Sequence, residues 1–372
     1  MNRLFIVILL FFSLIQQVNC QLFQEEYRNR EDTSYSSVPL LLDLQASTWF
    51  YNNEYFNPFY KGYTLTGAYL QPWLVYRSNN NLKISAGTHI QRFYGDHLNT
   101  KIQPLFSIEY RPSPYLTILM GSFNGGENHR MNDVLFSFEN HLTDLPENGI
   151  LINIVKPWLF SETWLNWEEF IQPGDTIQEQ FTAGSSNSVR LFENSSWKIS
   201  IPFQLLAHHA GGQINITNKK VVTLINIGEG IKISRIMGSD HSKNVYAEVN
   251  LFHSVGDFKP SSGKAVSAKT GFQSEKLELN LEYFSGNDFI SFAGNPLFRS
   301  METSIDPFIP FLYGGSNEMI NFKAGYRQKI GKNSLLFLRF EGYYLTSFSK
   351  PDYSYSLHFQ VRDFLKLLLK NP

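Results

Sequence analysis

The stretch DYSYSLHFQVR, residues 352–362, alternates without a break. Tyr353, Tyr355, Leu357, Phe359 and Val361 fall on one side of a strand. Ser354, Ser356, His358, Gln360 and Arg362 fall on the other, because successive strand side chains point to opposite faces. A half-buried strand of a soluble protein reads this way. So does a strand of a transmembrane barrel, with its apolar face turned out to lipid and its polar face lining the lumen. The rest of the chain decides between the two.

The same alternation recurs from residue 38 onward. In 40–50, Leu40, Leu42, Leu44, Ala46, Thr48 and Phe50 oppose Leu41, Asp43, Gln45, Ser47 and Trp49. Similar segments are NLKISAGTHIQ (81–91), WKISIPFQLLAH (197–208), LELNLEY (277–283) and INFKAGYR (320–327). Lys83, Glu278 and Lys323 sit at the centres of such segments. A dry core would make each unpaired charge very costly, so the polar face is wet.

Connectors carry a second pattern. Short ones (77–81, 111–114, 156–157, 193–196, 237–243, 274–276 and 331–333) alternate with long ones. The long ones are 51–62, 94–101, 122–148, 169–178, 209–219, 254–262, 287–317 and 346–351. This is the arrangement of an up-and-down outer-membrane barrel, with short periplasmic turns and long extracellular loops. The expectation is an all-β, antiparallel transmembrane barrel of about sixteen strands, with fourteen to eighteen admissible. Both termini then lie in the periplasm, and 352–362 closes the barrel on 38–50. Aromatics near strand ends fit the interfacial girdles: Trp49, Phe50, Trp73, Tyr76, Phe93, Tyr94, Tyr110, Tyr115, Trp158, Trp197, Tyr343, Tyr344 and Tyr353. A secreted β-sandwich or propeller is the competing fold, but it does not account for the long/short alternation.

The chain has 372 residues and a net charge of -1, so neither a nucleic-acid partner nor an acidic tail is indicated. No apolar run after the N-terminus is long enough for a helical span. MNRLFIVILLFFSLIQQVNCQ (1–21) reads as a signal peptide over 1–20, with cleavage after Cys20, the only cysteine. Lipidation of Cys20 is the alternative. A short polar leader (21–37), the barrel (38–364) and a short periplasmic tail (365–372) follow. Asn194 and Asn215 open chance-level glycosylation sequons.

On these features the chain resembles Gram-negative outer-membrane porin-like barrels. Its cleavage site resembles exported proteins of Bacteroidota type. PENGILINIVKPWLFSETWLNWEEFIQPGD (146–175), EQFTAG (179–184) and HHAGGQI (208–214) look like segments of an uncharacterised barrel family of that group, which brings no known function. No plug domain is expected ahead of the barrel, which argues against an energised transporter.

A barrel of this width holds an aqueous channel unless loops fill it. Porins narrow theirs with an inward-folded third loop, and here the third long loop, 122–148, is charged. Glu127, His129, Arg130, Asp133 and Glu139, followed by Asp144 and Glu147, are the candidate constriction. Lys83, Glu109, Arg111, Lys198, Lys232, Glu248, Glu282, Lys323, Arg327, Arg339 and Arg362 are the candidate lumen wall. Rings of fixed charge sort solutes by sign. An ordinary solvated loop is the plainer reading. Loop 287–317, with Phe289, Phe292, Phe298, Phe308, Phe311 and Tyr313, is too aromatic to sit bare in water. It folds into the lumen, meets a partner or packs on neighbouring loops.

The sequence carries no motif of catalytic chemistry. His208 and His209 point to opposite faces. Ser186, Ser188 and His208 share adjacent strands only loosely, and no serine-hydrolase or zinc-protease motif occurs. Glu162, Trp164, Asn166 and Glu168 form an aromatic-plus-acid row of sugar-binding type, equally explained as girdle and rim. GEG (228–230) marks a bend or close approach rather than a phosphate loop. The expectation is therefore a non-enzyme without cofactor or metal: a channel for small hydrophilic solutes. A non-conducting barrel in an envelope complex is the alternative, and a lipid or peptide hydrolase comes third. The partners expected are outer-membrane lipid, such solutes, and a homo-oligomer or envelope protein.

Overall fold

The computed structural model describes residues 38–368, apart from 58–59, 97–98, 125–127, 215, 218, 239–242, 258–260, 301, 304–311, 314 and 349. The expected signal peptide, leader and last tail residues lie outside the described residues.

Strands β1 (Leu40–Glu54), β2 (Thr64–Arg77), β3 (Leu82–Phe93), β4 (Thr100–Ser113) and β5 (Leu116–Phe123) come first. Then come β6 (Glu147–Lys156), β7 (Leu159–Glu169), β8 (Gln180–Glu193), β9 (Trp197–Ala210) and β10 (Val222–Met237). β11 (Lys243–Gly256), β12 (Ser262–Gln273) and β13 (Leu277–Asn287) precede a small ribbon of β14 (Glu302–Thr303) and β15 (Leu312–Tyr313). β16 (Ser316–Ile330), β17 (Ser334–Leu345) and β18 (Asp352–Leu368) end the chain. All but the ribbon pair with their neighbours in a closed antiparallel barrel of sixteen strands, and β18 closes it on β1. β18 continues past Phe364, so part of the expected tail is strand: Lys366 pairs with Leu41 and Leu368 with Leu40.

Exposure is inverted relative to a soluble sheet. Outward Ile102, Phe106 and Met120 are 65%, 54% and 57% exposed, whereas lumen-facing Gln71 and His89 are 0% exposed. Burying polar groups and exposing large apolar ones is stable only with hydrocarbon outside. The stretch 352–362 obeys this: Tyr355 and Leu357 face out, while Ser354, Ser356 and His358 are buried inside.

Four expected girdle residues are corrected. Trp49, Trp73 and Tyr343 are buried in the lumen and Phe93 packs there against Trp49, whereas Phe50, Tyr76, Tyr110, Trp158, Trp197 and Tyr344 are exposed. The physical reason is apolar packing inside the barrel: Trp73 joins Val38, Leu41, Val75, Leu105 and Phe364 in the short-turn half, and the others join a core between wall and loops. Met131, Val134 and Leu135 from loop 124–146 and Phe289, Leu297 and Phe298 from loop 288–300 pack against inward Trp164, Leu206, Phe252, Phe284, Met319 and Tyr343. Phe138 and Leu142 join Trp49, Tyr51 and Phe337 in an adjoining cluster.

Candidate functional site

Two loops together plug the long-loop half of the lumen. They are bonded to each other: Ser137 N–H donates to Ala293 O (2.7 Å), Asn295 N–H to Asp133 O (2.9 Å) and Ser291 Oγ to Leu135 O (2.9 Å). Wall amides hold them. Gln91 Nε2 donates to Leu142 O (2.7 Å), Asn226 Nδ2 to Ile290 O (2.6 Å) and Asn317 Nδ2 to Leu297 O (2.8 Å). Backbone groups inside a barrel need such partners, and the inward Asn and Gln supply them. Phe292 stacks on His208 at 3.5 Å, and Phe308 and Phe311 lie outside the described residues.

The candidate constriction residues are distributed through this plug. Glu127 lies outside the described residues. His129 is buried, stacked on Trp164 at 3.6 Å, with Nε2 2.8 Å from Glu147 and Nδ1 2.8 Å from Glu162. Burial alone lowers its pKa, but the two carboxylates outweigh burial and raise it to about 9. The Arg130 guanidinium lies over the Phe160 ring at 4.1 Å, and its carbonyl accepts from Ser186 Oγ and Gln204 Nε2. Asp133 pairs with Lys323 and, at 3.3 Å, with Arg339. Burial would raise its carboxyl, yet these two cations hold it well below the usual range. Glu139 accepts from Asn53 Nδ2 at 3.4 Å, and burial pushes it up to about 7.

Every candidate wall residue lies on a lumen-facing position, and most are paired. Lys323 and Arg339 share Glu341 as well as Asp133. Lys83 and Arg111 bracket Glu109 at 2.9 and 2.6 Å. Arg362 grips Asp43 with two bonds of 3.0 and 2.7 Å. Lys232 lies 3.5 Å from Glu248, Lys269 lies 3.4 Å from Glu282, and Arg327 lies 4.0 Å from Glu278. Asp133 links the loop candidates to the wall candidates, through Lys323 and Arg339. Beneath the plug, in the short-turn half, is a cavity of about 550 Å³. Arg130, Lys198, Lys232, Lys269, Arg327 and Arg339 line it, facing Asp133, Glu248 and Glu278.

Three polar clusters could serve hydrolytic chemistry. Inside, Thr182 Oγ1 donates to Glu168 Oε1 (2.6 Å) and lies 3.1 Å from His208 Nδ1, beneath Phe292. Thr182, not Ser186 or Ser188, is thus the hydroxyl at His208. Two clusters lie on the outer face at the long-loop rim. Thr64 Oγ1 donates to Asn52 Oδ1 (2.5 Å), and Asn52 Nδ2 donates to Glu54 Oε1 (3.0 Å). His209 Nε2 lies 2.7 Å from Gly211 O and Nδ1 lies 2.9 Å from Thr223 Oγ1. A carbonyl only accepts, so neutral His209 carries its proton on Nε2 and presents a lone pair to the Thr223 hydroxyl. These pairs lie 12, 14 and 26 residues apart on neighbouring strands, wider than a short contiguous motif. The legible trace was only that 208 and 209 face opposite sides. No group of metal-ligating side chains occurs among the described residues.

The inverted exposure, the closed sixteen-strand wall and the plugged lumen define an outer-membrane β-barrel. Its solved likenesses are porins: OprD of Pseudomonas aeruginosa matches with a TM-score of 0.51 at 10% identity, covering 89% of this chain and 96% of that one. A variant of OccD1 (OprD) matches at 0.50 and 10%, covering 87% and 95%. By sequence, the chain belongs to the family described as lipid A 3'-O-deacylase-type, which matches residues 31–370. No curated protein matches it. The family match overturns the expectation of a non-enzyme, because this family is described by an enzymatic activity.

Proposed function

We propose that the chain is an outer-membrane esterase that removes an O-linked acyl chain from a lipid A-type glycolipid. The match to the deacylase-type family along nearly the whole chain carries this reading. The plug supports it, since two loops bonded to each other and to the wall are poorly suited to free diffusion. The substrate's esters lie in the outer leaflet. We therefore assign the chemistry to the lipid-facing rim, where His209 offers a proton acceptor beside the Thr223 hydroxyl, and where Asn52, held by Glu54, orients the Thr64 hydroxyl without taking its proton. The reading places short turns and both barrel ends in the periplasm and long loops outside, and it retains export by a Bacteroidota-type signal peptide.

The test is the mass of lipid A from Gram-negative cells with and without the expressed chain. A species lighter by one acyl group is expected, absent with Thr223→Val or with Glu54→Gln, whichever cluster acts. Unchanged lipid A refutes the reading.

A second reading is passage or capture of small hydrophilic solutes. The basic cavity of about 550 Å³ favours it and makes anions the preferred class. Its mark is ion conductance with anion preference in a planar bilayer.

A further inference from the structure

Charges on the inner wall of a barrel largely cancel when their signs alternate from strand to strand. From β10 to β13 they do. Strand pairing sets Lys232, Glu248, Lys269 and Glu282 side by side in one row. The row continues through Ser200 on β9 to Arg190 on β8. A carboxylate at 200 would keep the alternation, but serine stands there. Lys198 lies two residues away on the same face. Cations thus gather on β8–β10 where the pattern calls for an acid.

Their donors are open. Among the described residues Lys198 makes no hydrogen bond or close ion pair, and the Ser188 and Ser200 hydroxyls make no hydrogen bond. The charges that act on Lys198 are Arg190 and Lys232, of like sign, and Glu193, which Arg190 already holds. Arg190 Nε is buried without a hydrogen-bond partner. Lys232 lies 3.5 Å from Glu248 and 4.1 Å from the centre of the Tyr246 ring, and a ring face attracts a cation without neutralising it. One row nearer the plug, Phe160, Ser188 and Pro202 are neighbours, and the Arg130 guanidinium covers Phe160. All these groups line the cavity of about 550 Å³, which the Lys156–Trp158 turn borders at its other end. The cavity therefore runs from the plug to the short-turn mouth.

We propose that this is a binding site for a small phosphate monoester, entered from the short-turn side and closed above by the plug. The proposal rests on the second reading above and deepens it, from anions in general to one class held at one place. Neighbouring strands lie about 4.8 Å apart and alternate residues of a strand about 7 Å apart, so Arg190, Lys198, Ser200 and Lys232 can all reach one small anion. A phosphate monoester offers three free oxygens to donors spread over three strands, whereas a planar carboxylate offers two. The organic body lies along Phe160 and Pro202, in a cavity of the size that small-molecule sites have.

The test is titration calorimetry of the full chain in mild detergent with glucose-6-phosphate, with folding checked by heat-modifiable gel migration. Saturable binding is expected, with glucose inert and glucuronate about tenfold weaker or more. Lys198→Met is expected to weaken glucose-6-phosphate binding about tenfold or more, the loss of roughly one charged contact. Lys264→Met, exposed at the long-loop end of β12, leaves it unchanged. A folded wild type without saturable binding overturns the proposal. Binding that Lys198→Met leaves intact overturns the placement, and glucuronate bound as tightly overturns the phosphate class. Anion-preferring current in a bilayer without saturable binding keeps the solute reading and overturns this site, and the absence of both overturns both.

Discussion

His129 shows how one side chain fastens a loop. It and Arg130 hold left-handed backbone, φ 48° and 56°, a conformation that costs non-glycine residues on the order of 1–3 kcal/mol each. The cost is offset by the imidazolium set between Glu147 and Glu162 and stacked on Trp164. Its folded pKa, about 9, exceeds the ordinary 6.5. The stabilisation is therefore complete below pH 6.5 and is lost as pH rises through 9. Trp164 fluorescence is predicted to rise with a midpoint near pH 9 as the quenching cation disappears, and His129→Gln is predicted to abolish that step. A flat titration contradicts the latch. Arg339 is the second such point. Arg339→Met removes one of the two cations paired with both Asp133 and Glu341, and breaking a buried pair typically costs about 3–5 kcal/mol. The variant should lose its heat-modifiable form at clearly lower temperature, as gel shift measures. Arg339 was legible in the sequence as a charged lumen position, since alternation fixes a side chain's face, and His129 as a member of a charged loop. Their partners were not, because alternation says nothing about which strands meet across the lumen.

At the scale of elements, strands and turns were readable and plugs were only half so. Every short and long connector in the sequence reading corresponds to an observed one, because turn residues and period-two patterning are local properties. Loop 122–148 was singled out for its charges, but its grip comes also from Met131, Val134 and Leu135, which cover only a few positions among polar residues. Their counterparts on the wall left a trace. EYF (282–284), GYYL (342–345) and TWF (48–50) put large apolar residues on both faces where strands approach the long loops. Apolar residues on both faces at a strand end indicate lipid on one side and a plug on the other. Replacing 131–138 and 289–298 with short Gly/Ser linkers is predicted to give steady single-channel currents that the wild type lacks. If the variant conducts no better than the wild type, these segments do not close the lumen.

For the whole molecule, fold and activity have different sources. The barrel follows from alternation and connector lengths, which any outer-membrane wall needs, so the fold resembles porins at 10% identity. The proposed activity rests instead on the family match, which names no residue, and the rim groups are assigned to it by their chemistry alone. Lumen charge, the most conspicuous feature of the sequence, largely pairs along the wall and lines a cavity under the plug, with Asp133 and His129 tying the plug to it. The account's central claim is that the chain acts on lipid at its outer rim with its lumen closed. The most direct test reconstitutes the refolded chain in sealed vesicles that contain lipid A and entrapped small dye, and follows fatty-acid release and dye leakage together. The account predicts fatty acid in the medium while the dye stays inside. Dye leakage with lipid A intact would contradict it.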